Sequence, residues 1–347
     1  MLGAAATFSC MPAPGRQPIS VAVVIPVYSG SQTLPALIDE LSVMTTAGRT
    51  EAGLSYVVES VVLAWDHGPD RSDDVIRELA RTHSWVRPVW LSRNYGQHPA
   101  TCAGMLATGA DWIVTMDEDG QHDPAHIPAM LDRAYASRRQ LVYARPSNEP
   151  PHGMLRNAAS RGAKWMFKVL MGDSAPVVDF HSFRLVAGGA GRVVAASVGP
   201  GVYLDVALAW AIPLATDVDL PMRVEGRPAT NYSTRRLLSH FWRLVLSSGT
   251  KPLRMIAALG MFSAVVGFCL GIFYSVQKLF GEVEVRGWTT LTVLALVGGG
   301  LVLLSLGVIA EYIGMIAARS MGRSNFLVTR DPALAFPGAE PEDDPTA

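Results

Sequence analysis

From residue 21 the chain switches repeatedly between two hydrophobic periods. "VAVVIPV" (21–27) is an unbroken apolar run, the pattern of a strand buried on both faces. "TLPALIDELSVM" (33–44) then sets Leu34, Leu37, Ile38 and Leu41 at helical spacing. The change of period recurs. It predicts strands at "YVVESVVLAW" (56–65), "VRPVWLS" (86–92), "DWIVTMD" (111–117) and "QLVYA" (140–144). It predicts helices at "DDVIRELA" (73–80), "PATCAGMLATGA" (99–110) and "HIPAMLDRAYAS" (126–137), the second made of small residues that can lie close on a sheet. Such alternation implies an α/β fold, a doubly wound and mostly parallel sheet with helices on both faces. Ligands of such sheets bind at the carboxyl ends of the strands. Four polar clusters fall there, "YSGSQ", "WDHGPDRS", "SRNYGQH" and "DEDGQHD", and four together suggest one rim and one site.

The pattern changes after residue 232. "STRRLLSHFWRLVLSSGTKPLRM" (233–255) mixes basic residues with Leu237, Leu238, Phe241, Trp242, Leu244 and Leu246, and is expected to be an amphipathic helix in a membrane interface; a helix packed on the soluble domain is the alternative. Residues 255–276 and 288–310 are uncharged runs of about 22 and 23 residues, each long enough to cross a bilayer as a helix. The short linker makes them a hairpin. Arg235, Arg236, Arg243, Lys251 and Arg254 precede the first span and Arg319 and Arg323 follow the second. In the linker Lys278 and Arg286 are offset by Glu282 and Glu284, so the positive-inside bias places both termini in the cytoplasm. Gly298, Gly299 and Gly300 would let another helix approach closely. The expected organisation is a lead-in over 1–20, a catalytic domain over 21–232, an interface segment over 233–254, a hairpin over 255–317 and a cytoplasmic tail over 318–347. The lead-in and the Pro- and acid-rich "PALAFPGAEPEDDPTA" are expected to be disordered.

Composition adds little. The formal net charge of -1 over 347 residues gives no general case for nucleic-acid binding. Cys10, Cys102 and Cys269 are scattered, with neither a disulfide framework nor zinc spacing, as in a reducing compartment.

The acidic cluster in "TMDEDGQHDP" (115–124) repels itself unless a cation offsets it. Taken alone it is either a metal site or an acidic turn. Asp117 and Asp119 alternate on an extended strand end, so one can reach forward while the other faces a metal, and Glu118 is expected to face away. Mg²⁺ or Mn²⁺ needs hard oxygen ligands and takes one or two carboxylates beside phosphates. Asp123-Pro124 reads as a cap and first turn, and His122 as a neighbour of the site.

"LSRNYGQHPATCAG" followed by "DWIVTMDEDGQHDP" resembles the family 2 (GT-A) glycosyltransferases that act on polyprenyl phosphates, the dolichyl-phosphate mannose synthases and undecaprenyl-phosphate glycosyltransferases. The likeness continues in "DFHSFRL", "RVEGRPATNYS", "GTKPLRM" and "LGVIAEYIGMIAARSMGRSNFLV", in order from residue 21 to about 328. It implies an inverting enzyme of the inner membrane that moves one sugar from a UDP- or GDP-linked donor to undecaprenyl or dolichyl phosphate, with Mg²⁺ or Mn²⁺ as cofactor and homo-oligomerisation left open. It implies metal and diphosphate roles for Asp117, Asp119 and Gln121, with Asp119 the most direct ligand. Pro26, Tyr28, Asp66 and Arg93 would serve the nucleotide. Arg145, Arg156, Arg184 and Arg223 are candidates for the acceptor phosphate, and Asp119, Asp179 and Arg184 for catalysis. Two loops depart from the family pattern. Ser29-Gly30 stands where Asn-Glu is usual, and Trp65 replaces the first of two aspartates, which leaves the identity of the base open. "PSNEPPHGML" (146–155) is expected to be a mobile loop that can close over the site. Alternatives are transfer to another lipid acceptor, or an inactive membrane protein that binds nucleotide sugars.

Overall fold

The computed structural model describes residues 17–147, 180–212, 214–223, 251–279, 287–322 and 324–334. They fall into two compact units, one holding the sheet together with residues 324–334, the other holding two long helices.

The first unit opens with β1 (Ile19–Val27), α1 (Leu34–Ser42), β2 (Gly48–Arg49), β3 (Ser55–Trp65), α2 (Ser72–Thr82), β4 (Val86–Leu91), α3 (Gln97–Leu106), β5 (Trp112–Thr115), α4 (Ile127–Ser137) and β6 (Leu141–Pro146). It continues with β7 (Arg184–Ala187), α5 (Gly188–Ser197), α6 (Leu204–Ala211), β8 (Thr216–Leu220) and β9 (Val328–Thr329). The strand order is β8-β6-β7-β5-β1-β3-β4-β9, with β2 hydrogen-bonded to β3. The centre, β5-β1-β3-β4, is parallel. β7 inserts antiparallel between β5 and β6, β8 returns parallel to β6, and β9 closes the far edge antiparallel to β4.

Both faces of β1 are covered. Val21, Val23, Ile25 and Val27 meet α1, α2 and α4 on one side, while Val24 meets α3 on the other, where α5 and α6 extend the layer. α3 lies close because of its small residues: a Cβ on Gly104 would stand 2.4 Å from Val24 Cγ1. This two-sided burial explains why β1 is apolar throughout rather than alternating. β1 is also flanked on both sides by strands that follow it in sequence, so the chain reverses direction across the sheet there, the kind of switch point at which such sheets bind ligands.

The second unit holds α7 (Lys251–Leu279) and α8 (Trp288–Ser320). Segments 256–273 and 297–314 are long and apolar enough to cross a membrane, and their apolar side chains, Leu259, Phe262, Phe268, Leu303 and Leu306 among them, are exposed. Exposure of this extent separates them from core helices of a soluble domain. A Cβ on Gly298, Gly299 or Gly300 would meet nothing within 4 Å, so the close approach expected there is not made among the described residues. The proposed interface segment up to residue 250, the mobile loop beyond Ser147, Arg156 and Asp179 lie outside the described residues. The tail differs from expectation: residues 324–334 are built into the sheet unit. Phe326 packs on the α3 side of the core, and Ser92 N–H donates to the Leu327 carbonyl at 3.0 Å.

Candidate active site

The four polar clusters follow β1, β3, β4 and β5, and they are bonded to one another. Tyr28 and Ser29 N–H donate to the Glu118 carboxylate at 3.0 and 2.9 Å. Gly30 N–H donates to Ser72 Oγ at 2.9 Å and Ser31 N–H to Asp70 Oδ2 at 3.0 Å, while Ser72 Oγ itself donates to Asp70. Asp66 receives Tyr95 and Gly96 N–H, each at 2.7 Å. Gln97 Nε2 donates to Asp117 Oδ1 at 2.5 Å. The loops also touch sterically: a Cβ on Gly68 would stand 1.6 Å from the Tyr28 carbonyl oxygen, so only glycine fits.

Glu118 thus corrects the sequence reading. It turns toward the loop after β1 and holds it, and Gly30 is what leaves room, since a Cβ there would lie 2.7 Å from Glu118 Oε2. The unusual "YSGS" is therefore compatible with a fixed rim. Trp65, the other departure, is buried and meets Trp90 edge-on at 5.7 Å. Its Nε1 is buried with no hydrogen-bond partner among the described residues.

Asp66 is 3% exposed and grips the loop after β4 with both carboxylate oxygens, so it shapes the rim rather than presenting an open acceptor to a base. Burial raises its pKa against the two amides, His67 and Arg93, which all act to lower it. Pro26 is buried within β1, and Tyr28 is exposed at the rim. Arg93 is exposed, with its guanidinium 4.1 Å over the Tyr95 ring, a cation–π placement that leaves its edge toward solvent.

In the acidic loop the two aspartates separate. Asp117 is tied down by Gln97 and by Ser182 Oγ at 2.6 Å, and its N–H donates to His122 Nδ1 at 2.9 Å. Asp119 is half-buried. One carboxylate oxygen caps Gln121 N–H at 3.0 Å, and the other accepts no hydrogen bond among the described residues. Asp123 caps the turn before α4 through Ala125 N–H at 2.9 Å, as the sequence predicts. His122 is buried and stacked on Phe183 at 4.9 Å; burial lowers its pKa, against the pull of Asp117 and Asp119. It is a support for Asp117, as a neutral acceptor on Nδ1.

Three of the acceptor-phosphate candidates turn out to be paired with carboxylates. Arg184 is 2% exposed, forms a buried ion pair with Asp205 of α6, and donates to Thr115 Oγ1 at 2.9 Å. Tyr143 OH joins the same carboxylate at 3.1 Å. Burial works against the Arg184 charge, but Asp205, Tyr143 and Asp117 together hold its pKa above the usual value. Its fork is used to join β7, β5 and α6, so a role in meeting the acceptor or in catalysis is not what this arrangement provides. Arg145 is held by Asp217 at 3.1 Å and by both oxygens of Asp219 on β8. Arg223 bridges Glu40 at 2.9 Å and Asp123 at 3.0 Å, and its N–H donates to the Gln121 carbonyl, which fixes the acidic loop from outside.

No group of three or more His, Cys, Asp or Glu converges among the described residues. The residues that sequence reasoning passed over, Asp70, Ser72, Gln97 and Ser182, all join one rim loop to another residue near the site.

Residues 22–174 match the family described as glycosyl transferase family 2. The bactoprenol glucosyl transferase of Shigella phage SfX is 26% identical over 313 residues, covering 89% of this chain and 99% of that protein. The undecaprenyl-phosphate 4-deoxy-4-formamido-L-arabinose transferase of Pseudomonas aeruginosa strain LESB58 is 27% identical over 319 residues, 89% of each. Among solved structures, glucosyl-3-phosphoglycerate synthase from Mycobacterium tuberculosis aligns with a TM-score of 0.49 and 16% identity over 67% of this chain and 79% of that one.

Proposed function

We infer that this chain, whose residues 22–174 match glycosyl transferase family 2, is a membrane-anchored enzyme that transfers one sugar from a nucleotide sugar to the phosphate of a polyprenol. The observation that carries this reading is the interlocked rim around Asp119, attached by sequence to two exposed apolar helices. The acceptor comes from the likeness to the bactoprenol and undecaprenyl-phosphate transferases, which spans nearly the whole chain, the apolar helices included.

In this reading the donor lies over the carboxyl ends of β1, β3 and β4. Tyr28 and Arg93 face it, and Asp66 and Glu118 hold the loops that carry them. Asp119 would hold a divalent cation, Mg²⁺ or Mn²⁺, with Asp117 and Gln121 beside it. Such a cation supplies a Lewis acid that offsets charge on a departing diphosphate. An oxygen of the acceptor phosphate attacks the anomeric carbon, and the bond from that carbon to the nucleoside diphosphate breaks. The diphosphate leaves with the electron pair and the configuration inverts. A phosphate oxygen is already anionic near pH 7, so the chain's main contribution is positioning. The base is uracil or guanine, and the sheet unit faces the cytoplasm of a cell whose inner membrane holds the two helices.

The test is direct. Full-length protein in nanodiscs is given undecaprenyl phosphate, a panel of UDP- and GDP-sugars, and Mg²⁺ or Mn²⁺. A glycosylated lipid is expected with one donor. Its absence across the whole panel, with protein shown to be folded, would sink the reading.

A further inference from the structure

A cavity of about 420 Å³ opens beside the rim, between the ends of β3 and β4 and the stretch of chain that follows the second apolar helix. His67, Leu91 and Ser92 form one wall; Asp331, Pro332 and Leu334 form the other. The inner wall adjoins the donor loops directly, because His67 follows Asp66 and Ser92 precedes Arg93.

The outer wall is latched. β9 pairs with β4, Trp90 opposite Thr329 and Leu91 opposite Val328. Arg77 Nε and Nη2 each donate to Asp331 at 2.9 Å. The same guanidinium takes Asp73 at 2.9 Å and lies 5.1 Å over the Trp90 ring. Ala333 N–H closes the turn onto Asp331 Oδ1 at 3.0 Å. His67 has a left-handed backbone, φ 53°, and its ring lies 4.6 Å from that of Trp65, so the inner wall is also fixed.

The lining is chemically mixed. Pro332 and Leu334 offer apolar faces and His67 a flat ring over the buried Leu91, while Ser92, Thr329 and Arg330 offer polar atoms at the edges. The Asp331 carboxylate is turned to Arg77, which it shares with Asp73 and Asp74. Apolar faces with a few polar groups at the margin suit a planar heteroaromatic ring better than a phosphate, and the volume falls within the range of small-ligand pockets.

We propose that residues 327–334 form the outer wall of the nucleobase pocket, so that the segment following the membrane hairpin sets affinity for the sugar donor. This rests on the nucleotide-sugar reading above and assigns that donor's base a binding wall beyond the rim loops.

The experiment uses full-length protein in nanodiscs with Mn²⁺ and either UDP or GDP. Binding is measured by calorimetry, and backbone hydrogen exchange is followed with and without nucleotide. The preferred nucleotide is expected to slow exchange across 327–334. Asp331→Ala is expected to raise its Kd about fivefold or more, while KM for polyprenyl phosphate stays unchanged. Saturated binding without protection of 327–334, together with an unaltered Kd in Asp331→Ala, would overturn the proposal. If Asp331→Ala does not fold, the exchange result on the unaltered protein still decides. If neither nucleotide binds the unaltered protein, the donor reading itself falls and this inference falls with it.

Discussion

Glu118 shows what one side chain decides at this rim. It fixes two amides of the loop after β1, at the cost of a position where only glycine leaves it room. A hydrogen bond to a charged group contributes about 1.5–3 kcal/mol, so Glu118→Ala is expected to raise KM for the nucleotide sugar roughly tenfold or more. The acceptor's KM should not follow. Gly30→Ala pushes its Cβ into the same carboxylate, and the double variant should then be no worse than the more affected single one, as residues acting through one contact are non-additive. Full additivity in that steady-state cycle would show that the two act separately. Asp119→Asn should lower kcat by about 10²-fold or more, with a matching loss of Mn²⁺ affinity in calorimetry and little change in thermal stability; full activity in Asp119→Asn would remove the residue from the site. The sequence displayed the Asp123 cap because it acts within two residues of itself. It did not display Glu118, whose partners lie about 90 residues away, a distance over which no local period carries information.

Every strand and helix read between residues 21 and 144 is present, because the parallel centre demands long apolar runs and amphipathic crossovers that are visible locally. The elements that escaped, β7, α5, α6 and β8, are shorter or lack a clear period, and β7 owes its place to partners before it in sequence. The family resemblance of "SFRL" gives Arg184 an acceptor-phosphate role; its partner Asp205 sits on α6, which the sequence reading did not contain. That pair joins α6 to the sheet, and removing one member leaves a buried charge. Asp205→Ala should therefore destabilise the sheet unit by about 3–5 kcal/mol, seen as a lower midpoint in denaturant unfolding followed by tryptophan fluorescence. A shift near zero would mean that water compensates the guanidinium. α3 gives a second check on the same layer. Burial pushes the Cys102 thiol up to about 12, so alkylation at pH 8 should spare it in the folded protein and reach it only after denaturation. Mass spectrometry of its peptide reads this out, and rapid labelling of the native protein would show that α3 does not pack as described.

On the scale of the whole chain, the hairpin was legible because uncharged runs of bilayer length are rare in the cores of soluble domains, and two in succession are rarer still. The return of the chain to the sheet was not, since it depends on a two-residue strand and on one aspartate that binds Arg77 across 254 residues. That return carries a topological consequence. β9 pairs with β4, so the chain on either side of the long helices belongs to one folded unit and must lie on one face of the membrane. An even number of crossings satisfies this, and α7 and α8 supply two. The cytoplasmic orientation proposed above would put both of these flanking stretches inside the cell. Reporter tags at the two ends of the chain should accordingly respond alike in a protease-protection assay on inside-out and right-side-out vesicles, both exposed in the former and both shielded in the latter. Opposite responses would be incompatible with β9 pairing to β4 within one chain, and would remove the outer wall of the cavity along with it.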